Sequence, residues 1–169
     1  MSDLPPPAPL APIAPFDPSD AWLLQSVLYA GGLTDGAELR DVIGLGDGIR
    51  DALFTADELR GGFARLIAAG YVRANTGRYF VVGEARGLAK REGLDLAGHA
   101  LEITAFLDAS NYRGLDSKKP DPELTDERIR QAVDAYLAPL REGGGGTALP
   151  TESPAGPEEI PEQDPPTIH

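Results

Sequence analysis

The tetrapeptide Thr55-Ala56-Asp57-Glu58 has the Ser/Thr-x-x-Glu form of a capping box, and it stands directly before Leu59, Phe63, Leu66 and Ile67, which share one helix face. No other point in the chain marks a helix start so sharply. Gly70 ends that helix and the period then changes: Tyr71-Val72-Arg73-Ala74 and Arg78-Tyr79-Phe80-Val81-Val82 read as two strands joined by Asn75-Thr76-Gly77. The chain must therefore hold a capped amphipathic helix and a hairpin together in one small α+β unit.

Upstream, Asp17 can cap a first helix, Pro18 suits its first position and Asp20 favours the positive dipole end. Trp22, Leu23, Leu24, Val27 and Leu28 keep helical spacing until Gly31-Gly32. Thr34 or Asp35 can cap a second helix carrying Leu39, Val42 and Ile43, after which Gly44, Gly46 and Gly48 are expected to loosen the chain. Asp47 is then expected to cap a short helical turn with Ile49, Leu53 and Phe54. Downstream, residues 84 to 109 have helix-forming composition interrupted by Gly87, Gly93 and Gly98, and residues 111 to 122 read as a polar linker. Leu124-Thr125-Asp126-Glu127 opens a last helix with an apolar stripe of Ile129, Val133, Tyr136, Leu137 and Leu140.

The order helix, helix, capped helix, hairpin resembles the winged helix-turn-helix superfamily. The resemblance rests on Phe54-Thr55-Ala56-Asp57-Glu58-Leu59 and on Phe63 to Val72, which look like the third helix and first wing strand of such domains. More narrowly, the stretch resembles a set of small bacterial winged-helix proteins of uncharacterised function. It covers about 65 residues and specifies fold far better than activity. The expected class is mainly α with a small β-hairpin wing (α+β): a winged helix-turn-helix domain plus C-terminal helices and disordered tails. The expected divisions are a disordered Pro-rich segment 1–16, the winged-helix domain 17–95, a helical extension 96–142 and a disordered acidic Gly/Pro-rich tail 143–169.

The tails are assigned on composition. Neither has a periodic apolar face, so neither can bury enough apolar area to offset roughly 1–2 kcal/mol of backbone entropy per ordered residue. PxxP spacing such as Pro6 to Pro9 reads as part of a tether. Net charge is -12, of which residues 141 to 169 supply -5 and residues 20 to 95 only -2. Overall acidity argues against tight non-specific binding to nucleic acid, while leaving room for a local basic face on the near-neutral domain. The absence of cysteine excludes disulfides, thiolate metal sites and cysteine nucleophiles. The N-terminus lacks the pattern of a signal peptide and no apolar run nears the ~20 residues of a membrane span, so a cytoplasmic protein is expected. Twelve Arg against three Lys, with abundant Ala, Gly and Pro, fits a GC-rich bacterial genome.

Catalysis finds little support in the residues. His99 and His169 are the only histidines, too few for a metal triad or a histidine-based catalytic triad, and His99 reads as a helix-surface or interface residue. Gly44-x-Gly46-x-Gly48 follows no strand and carries Asp47 where a phosphate would be repelled, so it reads as an inter-helix turn. No enzyme, cofactor, metal or small-molecule ligand is expected.

Winged-helix proteins commonly insert the third helix in the DNA major groove. On the face opposite Leu59, Phe63 and Leu66 lie Asp57, Gly61, Ala64, Arg65 and Ala68, among which Arg65 alone could bond guanine in bidentate fashion. With Arg60 on its flank and Arg73 and Arg78 on the wing, it forms the candidate DNA-binding set; the same four read equally as solvated surface arginines. Gly61, Ala64 and Ala68 form a candidate helix-packing interface, because glycines inside a helix cost about 1 kcal/mol each relative to alanine and suggest a close approach. The partner there could be the last helix of the chain, a second copy or another protein. The expected function is a non-enzymatic bacterial regulatory or adaptor module acting through protein-protein contacts. The alternative is a sequence-specific DNA-binding transcriptional regulator using helix 55–69 and wing 71–82.

Overall fold

A computed structural model of the chain describes residues 15–89, 95–114 and 121–143. The expected tails, apart from Pro15, Phe16 and Gly143, and the Gly93 interruption lie outside the described residues. Helix α1 spans Pro18–Val27 and runs into a wider π turn, Leu28–Gly32. It is followed by β1 (Ala37–Glu38), α2 (Leu39–Arg50), α3 (Ala56–Ala68), β2 (Val72–Asn75) and β3 (Arg78–Val81). A 3-10 turn at Gly83–Leu88 leads to α4 (Leu96–Asp108), and α5 spans Asp126–Gly143. The protein is mainly helical with one small antiparallel sheet of order β1-β3-β2, an α+β arrangement.

The capping box at α3 forms as its residues dictate. Thr55 Oγ1 accepts from the Glu58 backbone N–H at 3.2 Å, and the Glu58 carboxylate accepts from the Thr55 N–H at 2.8 Å. Each bond satisfies a donor that the helix start leaves without an intrahelical partner. Leu59, Phe63 and Leu66 then reach the core, where Phe63 stacks on Tyr79 of β3 at 3.8 Å between ring centroids. Trp22, Leu28 and Leu39 join the same cluster.

Two sequence expectations for the second helix are corrected. It begins at Leu39, later than Thr34 or Asp35 would set it, because Ala37 and Glu38 pair with Tyr79 and Arg78 and add a third strand to the expected hairpin. Gly36 makes that turn at φ +81, and a Cβ there would lie 2.5 Å from Phe80 Cζ, so glycine meets both the conformation and the close approach. The helix also continues through Gly44, Gly46 and Gly48 to Arg50, so Asp47 lies inside α2 and caps nothing. The physical reason is packing: the Phe54 ring lies against Gly46 and the Tyr136 ring against Gly44, contacts that outweigh the propensity cost of glycine.

The C-terminal elements share this core. Ile103 and Leu107 of α4, Leu124 just before α5 and Ile129 in its first turn are buried in the same cluster as Trp22 and Phe63. Phe16, which composition put in the N-terminal tail, is buried with ring contacts to Tyr71 and Tyr112 at centroid distances of 6.2 and 5.1 Å. His99 is likewise corrected: it is buried on α4, with Nε2 2.7 Å from the Leu88 carbonyl and Nδ1 3.0 Å from the Tyr29 hydroxyl. A carbonyl only accepts, so Nε2 carries a proton and donates to Leu88, while Nδ1 shares a hydrogen bond with the Tyr29 hydroxyl. A polar ring with both nitrogens satisfied can sit in the core without the cost of an orphaned group.

Candidate binding face around α3 and the hairpin

The four candidate arginines do not gather on one open face. Arg65 turns toward α1, where its guanidinium donates to both carboxylate oxygens of Asp20, at 2.6 and 2.8 Å, and pairs with Asp17 at 2.7 Å. Asp20 is fully buried, and it also accepts from the Asp17 backbone N–H at 2.9 Å. The hydrogen bond to Asp20 raises the pKa of Arg65 above its ordinary value, against the opposing effect of partial burial. The pair thus clamps the second half of α3 to the first turn of α1.

Arg60 lies on a different flank of α3. It donates to Asp57 at 2.6 Å and forms an ion pair with Asp126 of α5. Arg78 pairs with Glu38 across the β1–β3 ladder at 2.5 Å and donates to the Gly36 carbonyl at 3.2 Å. Arg73 is exposed, its guanidinium 5.6 Å from the centroid of the Phe80 ring on the outer face of the hairpin.

The small-residue set also divides. A Cβ on Gly61 would meet the guanidinium of Arg65 at 3.0 Å, so the near neighbour there is a side chain of α3 itself. The close helix approach is at Gly62, where a Cβ would fall 2.6 Å from Leu23 Cδ2 and 2.9 Å from Asp20 Oδ1 of α1. Ala64 is buried and Ala68 half-buried.

What lies beside Arg60 is the chain's own strap, residues 121–136. Asp121 accepts from the Tyr79 hydroxyl at 2.9 Å, Arg128 donates to the Gly77 carbonyl at the hairpin tip at 2.8 Å, and the Tyr136 hydroxyl donates to Asp47 of α2 at 2.7 Å. Leu124 and Ile129 supply the buried apolar anchors. Burial, and after it the neighbouring Asp121 carboxylate, pushes the Tyr79 phenol far above its ordinary range; the bond to Asp47 pushes Tyr136 up. One strap therefore ties together α2, α3 and the hairpin. Sequence reading placed Tyr136 on an apolar stripe but missed Asp20, Asp121 and Arg128. Only the charge of Asp20 in a first helical turn hinted at a role, and its partner stands 45 residues away.

A groove of about 610 Å³ runs along the free edge of β2, bounded by Ile67, Val72, Ala74 and Val82 and closed at one side by Asp121 and Glu123. Its carboxylates are engaged, Asp121 with Tyr79 and Glu123 with Arg128. Among the described residues no group of three or more His, Asp or Glu side chains is arranged to hold a metal ion. No described helix is long and apolar enough to cross a membrane. No family model, curated protein sequence or solved structure matches the chain, so its face is read from its own residues.

Proposed function

We propose that the chain is a non-enzymatic winged-helix module of the bacterial cytoplasm, with a regulatory or adaptor role exercised through protein-protein contacts. The observation that carries this reading is the occupied state of the α3 and hairpin face. In winged-helix DNA readers the capped third helix meets the duplex. Here three of the four arginines suited to that task are held by carboxylates of the same chain, and the strap bridges α3 and the hairpin tip. An arginine already bonded to a buried aspartate would have to abandon it, leaving that charge unpaired, before it could reach a base.

A second reading is kept because the order α1, β1, α2, α3, β2, β3, with the capping box at α3, favours a DNA-binding regulator. Filter binding of the full chain to mixed duplex DNA at low and moderate salt separates the two. The adaptor reading expects no affinity tighter than the roughly 10⁻⁴–10⁻⁶ M range of non-specific association. Submicromolar binding that falls steeply with salt, and whose slope drops by about one in Arg73→Ala or Arg78→Ala, would reverse the ranking.

A further inference from the structure

We propose that the surface formed by α2, α3 and the hairpin tip is a receptor groove for an acidic amphipathic helix, with residues 121–136 as its resident and displaceable pseudo-ligand. The partner of the module then carries a segment of the same chemistry. This deepens the adaptor reading and rests on it.

The strap touches the domain at spaced anchor positions that alternate in character. Asp121 meets the Tyr79 hydroxyl, Leu124 is buried, Asp126 meets Arg60, Ile129 is buried and Tyr136 lies on Gly44 with its hydroxyl on Asp47. Every receiving group belongs to an element that precedes the strap. The groove offers the Arg60 guanidinium and the Tyr79 phenol where the strap brings carboxylates, and the Gly77 carbonyl and Asp47 carboxylate where it brings the donors of Arg128 and Tyr136, so it selects a ligand with acidic anchors at its start and donors farther along. Its apolar floor takes Leu124 just before α5 and Ile129 in the first turn of α5, so it selects a helix with one buried anchor on its inner face and another just ahead of its start, a form of the helix-in-groove mode. The match to α5 is incomplete at the far end, where Leu140 of the apolar stripe is 57% exposed. The ion pair at Arg60 is itself open to solvent, with side-chain exposures of 37% and 73%. Exposed pairs of this kind hold weakly and exchange readily. A tethered segment competes through its high effective concentration, so an external helix gains access once the tethered anchors are weakened.

The test uses the full chain and its double variant Leu124→Asp/Ile129→Asp, with a fluorescein-labelled synthetic peptide of residues 121–143 read by anisotropy. The variant is expected to bind the peptide at least about ten-fold more tightly than the wild-type chain does. A peptide carrying the same two aspartates should not bind. If the double variant loses its helical circular dichroism, recovery of that signal on adding the wild-type peptide supports the groove equally. A folded variant that ignores the peptide, or an unfolded one that the peptide fails to restore, overturns the proposal while leaving the adaptor reading to the DNA experiment. Duplex DNA bound by the double variant but not by the wild type would assign the groove to nucleic acid and remove both.

Discussion

Replacing Arg65 by alanine removes the only cation among the described residues that pairs with Asp20, a carboxylate with no exposure to solvent. Asp20 would keep a single described partner, the Asp17 backbone N–H, and would stand beside Leu23 and Gly62 in the contact between α1 and α3. Breaking a buried pair from one side costs about 3–5 kcal/mol, chiefly because the remaining charge is left desolvated and unpaired. The Arg65 side chain is 21% exposed, so water can partly compensate and the lower end of that range applies. Urea denaturation followed by the fluorescence of Trp22, the single tryptophan, measures the loss. With a slope of about 1–3 kcal/mol per molar, a loss of about 3 kcal/mol shifts the midpoint by on the order of 1–3 M. Arg73→Ala is the internal comparison, because Arg73 is exposed and its guanidinium lies over the Phe80 ring with no ion pair among the described residues, and its cost should stay within about 1 kcal/mol. If Arg65→Ala costs no more than Arg73→Ala, Arg65 is a free surface residue, the clamp reasoning fails and Arg65 returns as a base-reading candidate.

Three further outcomes follow from the packing. Gly62→Ala should destabilise by about 1–3 kcal/mol, since its Cβ falls within 3 Å of Leu23 and Asp20, whereas Gly48→Ala, with nothing within 4 Å, should stabilise by up to about 1 kcal/mol; thermal melts giving the two changes the same sign would contradict the helix register. Leu66→Ala should cost about 2–5 kcal/mol by the same measurement, because the side chain is fully buried, and a neutral result would mean that α3 turns a different face to the core. The raised pKa of Tyr79 implies that stability is fully present below pH 10.0, the ordinary phenol value, and is lost as pH rises beyond it, because the unfolded chain releases a proton that the folded one retains. Tyrosinate absorbance of the folded chain near that pH should therefore be unchanged by Tyr79→Phe, and loss of a full residue's signal would show that Tyr79 ionises in place.

Local order was legible in the sequence wherever one short segment contains its own cause. The Thr55–Glu58 capping box, the glycine that ends α3 and the turn between β2 and β3 act over three or four residues, so residue type and spacing determined them. The same holds for the apolar face of α3, whose period states which side turns inward. Tertiary structure alone decided the rest, because the deciding partner lies far along the chain. Gly44 and Gly46 resemble a turn until the Tyr136 and Phe54 rings are laid against them. His99 resembles a surface residue until Tyr29 and the Leu88 carbonyl satisfy both of its nitrogens. Arg65 and Arg60 have the same composition and nearly the same position, yet one clamps α1 through Asp20 and the other meets the strap through Asp126. A helical period records which face of a segment is apolar; it carries no record of which distant carboxylate will meet a given guanidinium, and on this chain that pairing sets what its binding face can offer.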